Sequence, residues 1–162
     1  LPVIYSYCYH KKQLDLGTAT VNPVYDKAQY KKFGIISIIA VTLIIIGIIF
    51  VMFTGTIEAQ FNEKSLIIDS TYWQTLEVKY EDIEEVELKE NFSVGMKTNG
   101  FNSAKLSLGE FKNKEFGSYT VLVYNFENSA VAIKTKDRVL VINANTKEQT
   151  KEIYQELLNK IK

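Results

Sequence analysis

The sequence predicts one membrane-spanning α-helix followed by a mainly-β barrel or sandwich of about seven antiparallel strands, with a C-terminal helix capping it. Three patterns support this fold class. An uncharged apolar run occupies residues 33–53, short segments with alternating apolar residues follow it, and an amphipathic segment ends the chain. Apolar runs of about 20 residues are typical of membrane-spanning helices, and a period of two is typical of half-buried strands.

The apolar run has the length of a membrane anchor. Residues 33–53 are 21 positions without a charged side chain. As a helix rising about 1.5 Å per residue, this run is roughly 31 Å long, and the hydrocarbon core of a bilayer is roughly 30 Å thick. Its polar side chains, Ser37 and Thr42, can bond to carbonyl oxygens of their own helix. The run is also too long and too internal for a signal peptide.

Charged residues beside the run predict its orientation. After the run, Lys64 is the first cation, whereas three lysines crowd the preceding side: Lys27, Lys31 and Lys32. Because basic residues favour the cytoplasmic side of a membrane helix, we expect residues 10–32 to form a cytoplasmic loop. Residues 54–162 would then be extracellular, and the protein would be integral to the cell membrane.

The first nine residues resemble the end of another membrane helix. Residues 1–9 are apolar and aromatic, and a polar stretch begins at His10. Tyrosines are enriched where helices leave the bilayer, so we interpret residues 1–9 as the end of an upstream membrane helix and the chain as a fragment. A short disordered or amphipathic leader is the alternative.

Strand patterns fill most of the region from residue 54 onward. The spacing of three between Ile83 and Val86 interrupts the period of two and predicts a turn or bulge near Glu84 and Glu85. The strand-like segments are residues 56–61, 65–69, 72–80, 83–88, 101–108, 120–126, 131–134 and 139–143.

The last segment has the signature of a capped amphipathic helix. Thr146 is the N-cap candidate, and Gln149 stands three residues later, as in a capping box. Five apolar residues then fall on one stripe, which must be buried against the strands: Ile153, Tyr154, Leu157, Leu158 and Ile161.

Several short motifs occur in order within residues 56–162. The run YEDIEEVEL at residues 80–88 is similar to the y-x-D-I-x-x-V-x-l pattern of the bacterial PH-like (pleckstrin-homology-like) domain family. Gly95 and Gly100 with LGEF at residues 108–111 resemble its middle section. Weaker similarities to its last hairpin and its helix lie within residues 132–154. The resemblance covers about residues 56–162.

The resemblance implies a barrel with one capping helix, carried in many family members behind membrane helices. It does not imply a ligand. Lys64 is the only cation in the turn between the first two strands, so the basic pattern of a phosphoinositide site is missing. We therefore expect contact with the bilayer through the anchor and not through lipid head-group recognition.

Composition excludes several classes of function. The formal net charge is zero, which argues against a nucleic-acid partner. One cysteine and one histidine exclude a disulfide framework and argue against a zinc site or a Ser-His triad. Since no recognised nucleophile or phosphate-loop motif is present either, we predict no enzyme activity, no metal and no cofactor.

Apolar and amide side chains in the second half are the candidate binding residues. An acidic cluster over residues 81–90 could instead bind calcium or a basic partner, but no glycine provides the turn of a calcium loop, and a solvated face explains the cluster better. For the aromatic run, core packing is the alternative to a binding groove. The candidates for contact with a partner are Phe92, Met96, Asn99, Phe101, Phe111, Phe116 and Tyr119.

Together these patterns predict a membrane-anchored, non-catalytic binding or scaffold module that docks a protein or peptide at the membrane surface, for example by adding a strand to an open barrel edge. The alternative is an accessory or regulatory subunit of a membrane transport or stress-response system that acts through its transmembrane helices. Replacing residues 33–53 with an unrelated membrane helix separates the two, because function should survive only in the first. The oligomeric state does not follow from the sequence.

Overall fold

The computed structural model describes residues 8–9, 11–13, 15–17 and 27–162. The chain divides into two compact units, Leu1–Ile49 and Phe50–Lys162. Most of the predicted upstream helix end at residues 1–9, and part of the predicted loop at residues 10–32, lie outside the described residues.

Helix α1 spans Lys27–Phe53 and so begins before the apolar run. Its Lys31–Phe53 portion is long and apolar enough to cross a membrane, as judged by length and composition. The hydroxyl of Thr42 donates to the carbonyl oxygen of Ile38 at 2.9 Å, as expected for a polar side chain within an apolar helix.

Nine strands and a C-terminal helix follow, which confirms the predicted fold class. β1, β2 and β3 form one sheet in that order, and the second sheet has the order β4-β8-β9-β7-β6-β5. All pairs are antiparallel except β7 with β9, which are parallel. The elements are β1 Ile57–Phe61, β2 Ser65–Ser70, β3 Trp73–Lys79, β4 Ile83–Lys89, β5 Met96–Asn102, β6 Leu106–Asn113, β7 Gly117–Tyr124, β8 Ala130–Thr135, β9 Val139–Ile142 and α2 Lys147–Lys160.

The main core lies between the two sheets and under α2. Leu66 and Ile68 of β2 meet residues of the six-stranded sheet such as Leu122, and Leu157 of α2 completes the cluster. All four side chains are fully buried. Burying such side chains contributes roughly 1.5–3 kcal/mol each, so this cluster is the main source of the domain's stability.

Two local predictions are confirmed. The pairing of β4 with β8 shifts register between Ile83 and Glu85, which is the bulge that the irregular apolar spacing predicts. The N-cap of α2 is Thr146, whose side chain accepts a hydrogen bond from the backbone N–H of Gln149 at 3.3 Å. This bond satisfies one of the free N–H groups at the start of the helix.

The β5–β6 hairpin depends on two facing glycines. Gly100 and Gly109 are cross-strand partners with φ values of +125° and +122°. A Cβ atom on Gly109 would overlap the carbonyl oxygen of Asn99 and lie 2.7 Å from the Cα atom of Gly100. The two backbones can approach this closely only because neither residue has a side chain.

Candidate functional site

The seven residues predicted to contact a partner fall into three environments. Phe111 and Tyr119 are each 1% exposed and pack inside the domain. Phe92 and Phe116 are partly buried against that same cluster, and Phe101 packs on the main core. Met96 and Asn99 are exposed on β5. The structure therefore brings four of the seven together, as packing around Tyr119; partner binding by the exposed residues stays a prediction.

Tyr119 holds the segment between β4 and β5 against the six-stranded sheet. Its hydroxyl donates to the carbonyl oxygen of Val94 at 2.6 Å and accepts from Nδ2 of Asn113 at 3.2 Å. The rings of Phe92 and Phe116 meet it edge-on, with centroids 6.2 and 5.3 Å away. Burial raises the pKa of Tyr119 from 10.0 to about 12, because the charged phenolate would lose its water, although the hydrogen bond from Asn113 opposes this rise.

This raised pKa predicts a loss of stability in alkali. An unfolded tyrosine ionises near its ordinary pKa of 10.0, whereas folded Tyr119 keeps its proton up to about 12. Its contribution is therefore fully present below the ordinary pKa and is lost as the pH rises through the folded pKa, by on the order of 2–3 kcal/mol. Denaturant unfolding across this range should show a steeper decline for the wild type than for Tyr119→Phe. Equal slopes would contradict the prediction.

The backbone of β1 exposes an unused hydrogen-bonding edge. The N–H of Thr71 donates to the carbonyl of Thr56 at 3.1 Å, and the N–H of Asn62 donates to the carbonyl of Ser65 at 2.9 Å. Since backbone groups alternate in direction along an antiparallel strand, even-numbered residues of this stretch face β2 and odd-numbered residues face away. β1 pairs only with β2, so its outward groups belong to an edge strand.

The hydroxyl of Tyr124 bonds to the backbone of Ile57, the first residue of β1 that faces away from β2. The N–H of Ile57 donates to the hydroxyl of Tyr124 at 2.8 Å, and that hydroxyl donates back to the carbonyl of Ile57 at 3.3 Å. This pair ties β1 to the end of β7. The next two outward residues, Ala59 and Phe61, have no comparable partner within residues 50–162. The edge is therefore closed at Ile57 and open beyond it.

A groove of about 820 Å³ runs along this open edge. Residues 56–61 line one side, and Glu152, Ile153 and Glu156 of α2 line the other. The floor includes Asn143, whose side chain is fixed: its Nδ2 donates to the carbonyls of Tyr124 and Glu127 at 3.1 and 3.2 Å. The groove thus has a fixed amide at Asn143, one wall that includes the free backbone groups of Ala59 and Phe61, and one helical wall.

The groove is acidic. Glu58, Glu152 and Glu156 line it, and its lining contains no lysine, arginine or histidine. All three glutamates are exposed and have no ion pair among the described residues. Elsewhere the acidic cluster of residues 81–90 is partly neutralised, by ion pairs from Asp82, Glu87 and Glu90 to lysines. The unpaired negative charge of the groove favours a positively charged occupant.

Sequence reasoning missed these groove residues. The alternation of β1 identifies a strand, but only the strand order shows that it lies at an edge.

The described residues contain few groups with other chemistry. Among the residues that the structure describes, no three His, Cys, Asp or Glu side chains form a group that could hold a metal ion.

The comparisons with known proteins agree with this architecture. The family described as Bacterial PH domain matches residues 57–158, which run from β1 into α2. Searches of curated proteins and of solved structures give no match. PH-like domains are generally non-catalytic binding modules. This chain belongs to the bacterial PH domain family.

Proposed function

We propose that this protein is a membrane-anchored docking module that takes up an extended segment of a partner protein as an added strand on β1. The observation that carries the proposal is the pair of free outward positions, Ala59 and Phe61, beside a groove that is long enough for several residues. Strand addition uses such unpaired backbone groups for affinity and the flanking side-chain pockets for specificity.

We infer that the anchor holds this domain at a membrane surface. The Lys31–Phe53 portion of α1 supplies the span, and lysines on its N-terminal side favour a cytoplasmic start and an extracellular domain. Protease added to intact cells should therefore digest the 54–162 domain, while lysed cells serve as the full-digestion control. Protection of the domain in intact cells would reverse the orientation and place the groove in the cytoplasm.

The acidic lining supports an occupant segment that carries lysine or arginine. Each exposed glutamate can pair with a cation at a modest gain, and three such pairs together change affinity roughly tenfold. Long-range attraction would also raise the association rate and make binding weaken with salt.

A peptide selection tests the proposal. The chain of residues 1–162, held in lipid nanodiscs, would be used to select from a displayed library of random dodecapeptides. We expect enrichment of lysine- or arginine-bearing sequences with an alternating pattern, and competition among them for one site. Enrichment of acidic or unpatterned sequences would contradict the proposed site.

Charge reversal in the groove should then weaken the selected peptides. We expect Glu58→Lys, Glu152→Lys and Glu156→Lys combined to reduce affinity roughly tenfold at low salt and less at high salt. The matched control reverses three exposed glutamates on β3 and β4, with the same change in net charge: Glu77, Glu84 and Glu85. An equal loss in both triple variants would show that only bulk charge matters. Titration by fluorescence anisotropy measures both.

A further inference from the structure

Two large apolar side chains stand out on the surface of the domain. Within residues 54–162, Phe126 is 72% exposed and Met96 is 66% exposed, and the other large apolar side chains are more buried. A single exposed apolar residue is ordinary on a protein surface. Phe126 and Met96 differ in their distance from the last turn of α1.

Phe126 lies close to the last turn of α1. The backbone N–H of Lys105 donates to the carbonyl of Met52 at 3.3 Å, and the N–H of Asn125 donates to the carbonyl of Lys105 at 2.8 Å. Phe126 directly follows Asn125. Two such backbone steps and one peptide unit place its Cα atom within roughly 15 Å of Met52.

Two side-chain bonds fix this neighbourhood. Nζ of Lys105 donates to the carbonyl of Gly55 at 2.7 Å and lies 5.7 Å from the ring centroid of Tyr124. Nδ2 of Asn125 donates to the carbonyl of Ser103 at 2.8 Å. The turn that carries Phe126 is thus linked through Lys105 to the carbonyls of Met52 and Gly55.

Met96 lies at the end of the β5–β6 hairpin that is far from the turn holding Lys105. In the β5–β6 hairpin, Asn102 pairs with Ser107 next to the Lys105 turn, whereas Met96 pairs with Lys112. The seven residues of β5, at about 3.3 Å each, separate Met96 from that turn by roughly 20 Å. Of the two exposed apolar side chains, only Phe126 is near the place where α1 ends.

We infer that Phe126 inserts into the interfacial layer of the bilayer on the side where α1 ends, and so gives the domain a second attachment to the membrane. This inference rests on the proposed membrane anchor. A helix that crosses the bilayer ends at the interface, where aromatic rings are favoured. Phe53, at the end of α1, is 58% exposed and would share that layer with Phe126. The attachment restrains how the domain, with its groove, is presented to a partner.

Tryptophan fluorescence tests the inference. Phe126→Trp, Met96→Trp and Phe50→Trp variants of the chain of residues 1–162 would be placed in phosphatidylcholine vesicles with brominated or plain acyl chains. The signal of native Trp73 is subtracted with the wild-type protein. Because bromine quenches only nearby rings, we expect the added fluorescence at positions 50 and 126 to fall at least twofold in brominated vesicles. The added fluorescence at position 96 should be unchanged.

The three positions separate the possible failures. Quenching at position 50 without quenching at position 126 would overturn the inference and leave the anchor intact. No quenching at position 50 would overturn the anchor and the inference together. Equal quenching at positions 96 and 126 would show that the domain lies on the membrane without the proposed orientation, which also contradicts the inference.

Discussion

Replacing Ala59 with proline is expected to leave the domain folded and to reduce peptide binding at least tenfold. The N–H of Ala59 points away from β2, so its loss removes no hydrogen bond of the three-stranded sheet. Proline is tolerated on edge strands when its nitrogen faces the free side. An added strand, however, would lose a backbone donor and meet the proline ring at the usual strand spacing of about 4.8 Å.

Proline at the neighbouring position provides the matched control. Gln60 pairs with Ile67, and its N–H faces β2, so Gln60→Pro should break the sheet and lower the melting temperature markedly. Ala59→Gly controls for the lost side chain and should keep most of the affinity. Thermal unfolding and anisotropy titration of all three variants, with a peptide selected on the wild type, measure these effects. Unchanged affinity of the folded Ala59→Pro variant would refute strand addition on β1.

Gly109→Ala is expected to produce the largest loss of stability, about 3–5 kcal/mol, from backbone strain and a forced shift of the strands. The new Cβ would overlap the carbonyl oxygen of Asn99 on the paired strand, and alanine rarely adopts a φ of +122°. The new Cβ and the carbonyl oxygen of Asn99 are both attached directly to the backbone, and neither can rotate away as a flexible side chain would. The strands β5 and β6 must therefore move apart. Because small domains are stable by only about 5–15 kcal/mol, this loss removes a large share of the domain's stability, and the variant should unfold at a markedly lower denaturant concentration than the wild type.

Gly117 separates the two causes of that loss. It has a positive φ of +70°, but a Cβ there would have no atom within 4 Å. Gly117→Ala should therefore lose only the conformational part, about 1–2 kcal/mol. Denaturant unfolding of both variants gives the difference. Equal losses would contradict the close approach of Gly100 and Gly109.

Local sequence patterns predict the elements that are determined by residues close together in the chain. The Thr146 cap, the bulge after Ile83 and the alternation of β1 all follow from neighbouring residues, and the structure contains each of them. β5 does not follow in this way. Its residues are mostly exposed, its apolar residues do not alternate, and it is bulged between Lys97 and Asn99. Its pairing depends on the close approach of Gly100 in β5 and Gly109 in β6. The single strand predicted at residues 101–108 is therefore wrong, because the structure has two strands there, β5 and β6.

The candidate site depends even more on contacts between residues that are far apart in the chain. Aromatic residues such as Phe111 and Tyr119 attract interest in the sequence, but the structure buries them in the second core cluster. The open edge of β1 and the acidic face of α2 are far apart in the chain, and only the fold brings Glu58 beside Glu152 and Glu156. In a short strand such as β1, the exposed polar side chains of Glu58 and Gln60 give no local sign that one edge of the backbone is unpaired.

Residue-resolved amide hydrogen exchange tests the central claim most directly. The chain of residues 1–162 in nanodiscs would be compared with and without a peptide selected on it. Strand addition predicts new protection at Ala59 and Phe61, and little change at Glu58 and Gln60, whose amides already face β2. Protection that is absent from Ala59 and Phe61, or that appears instead along β5 around Met96 and Asn99, would contradict it.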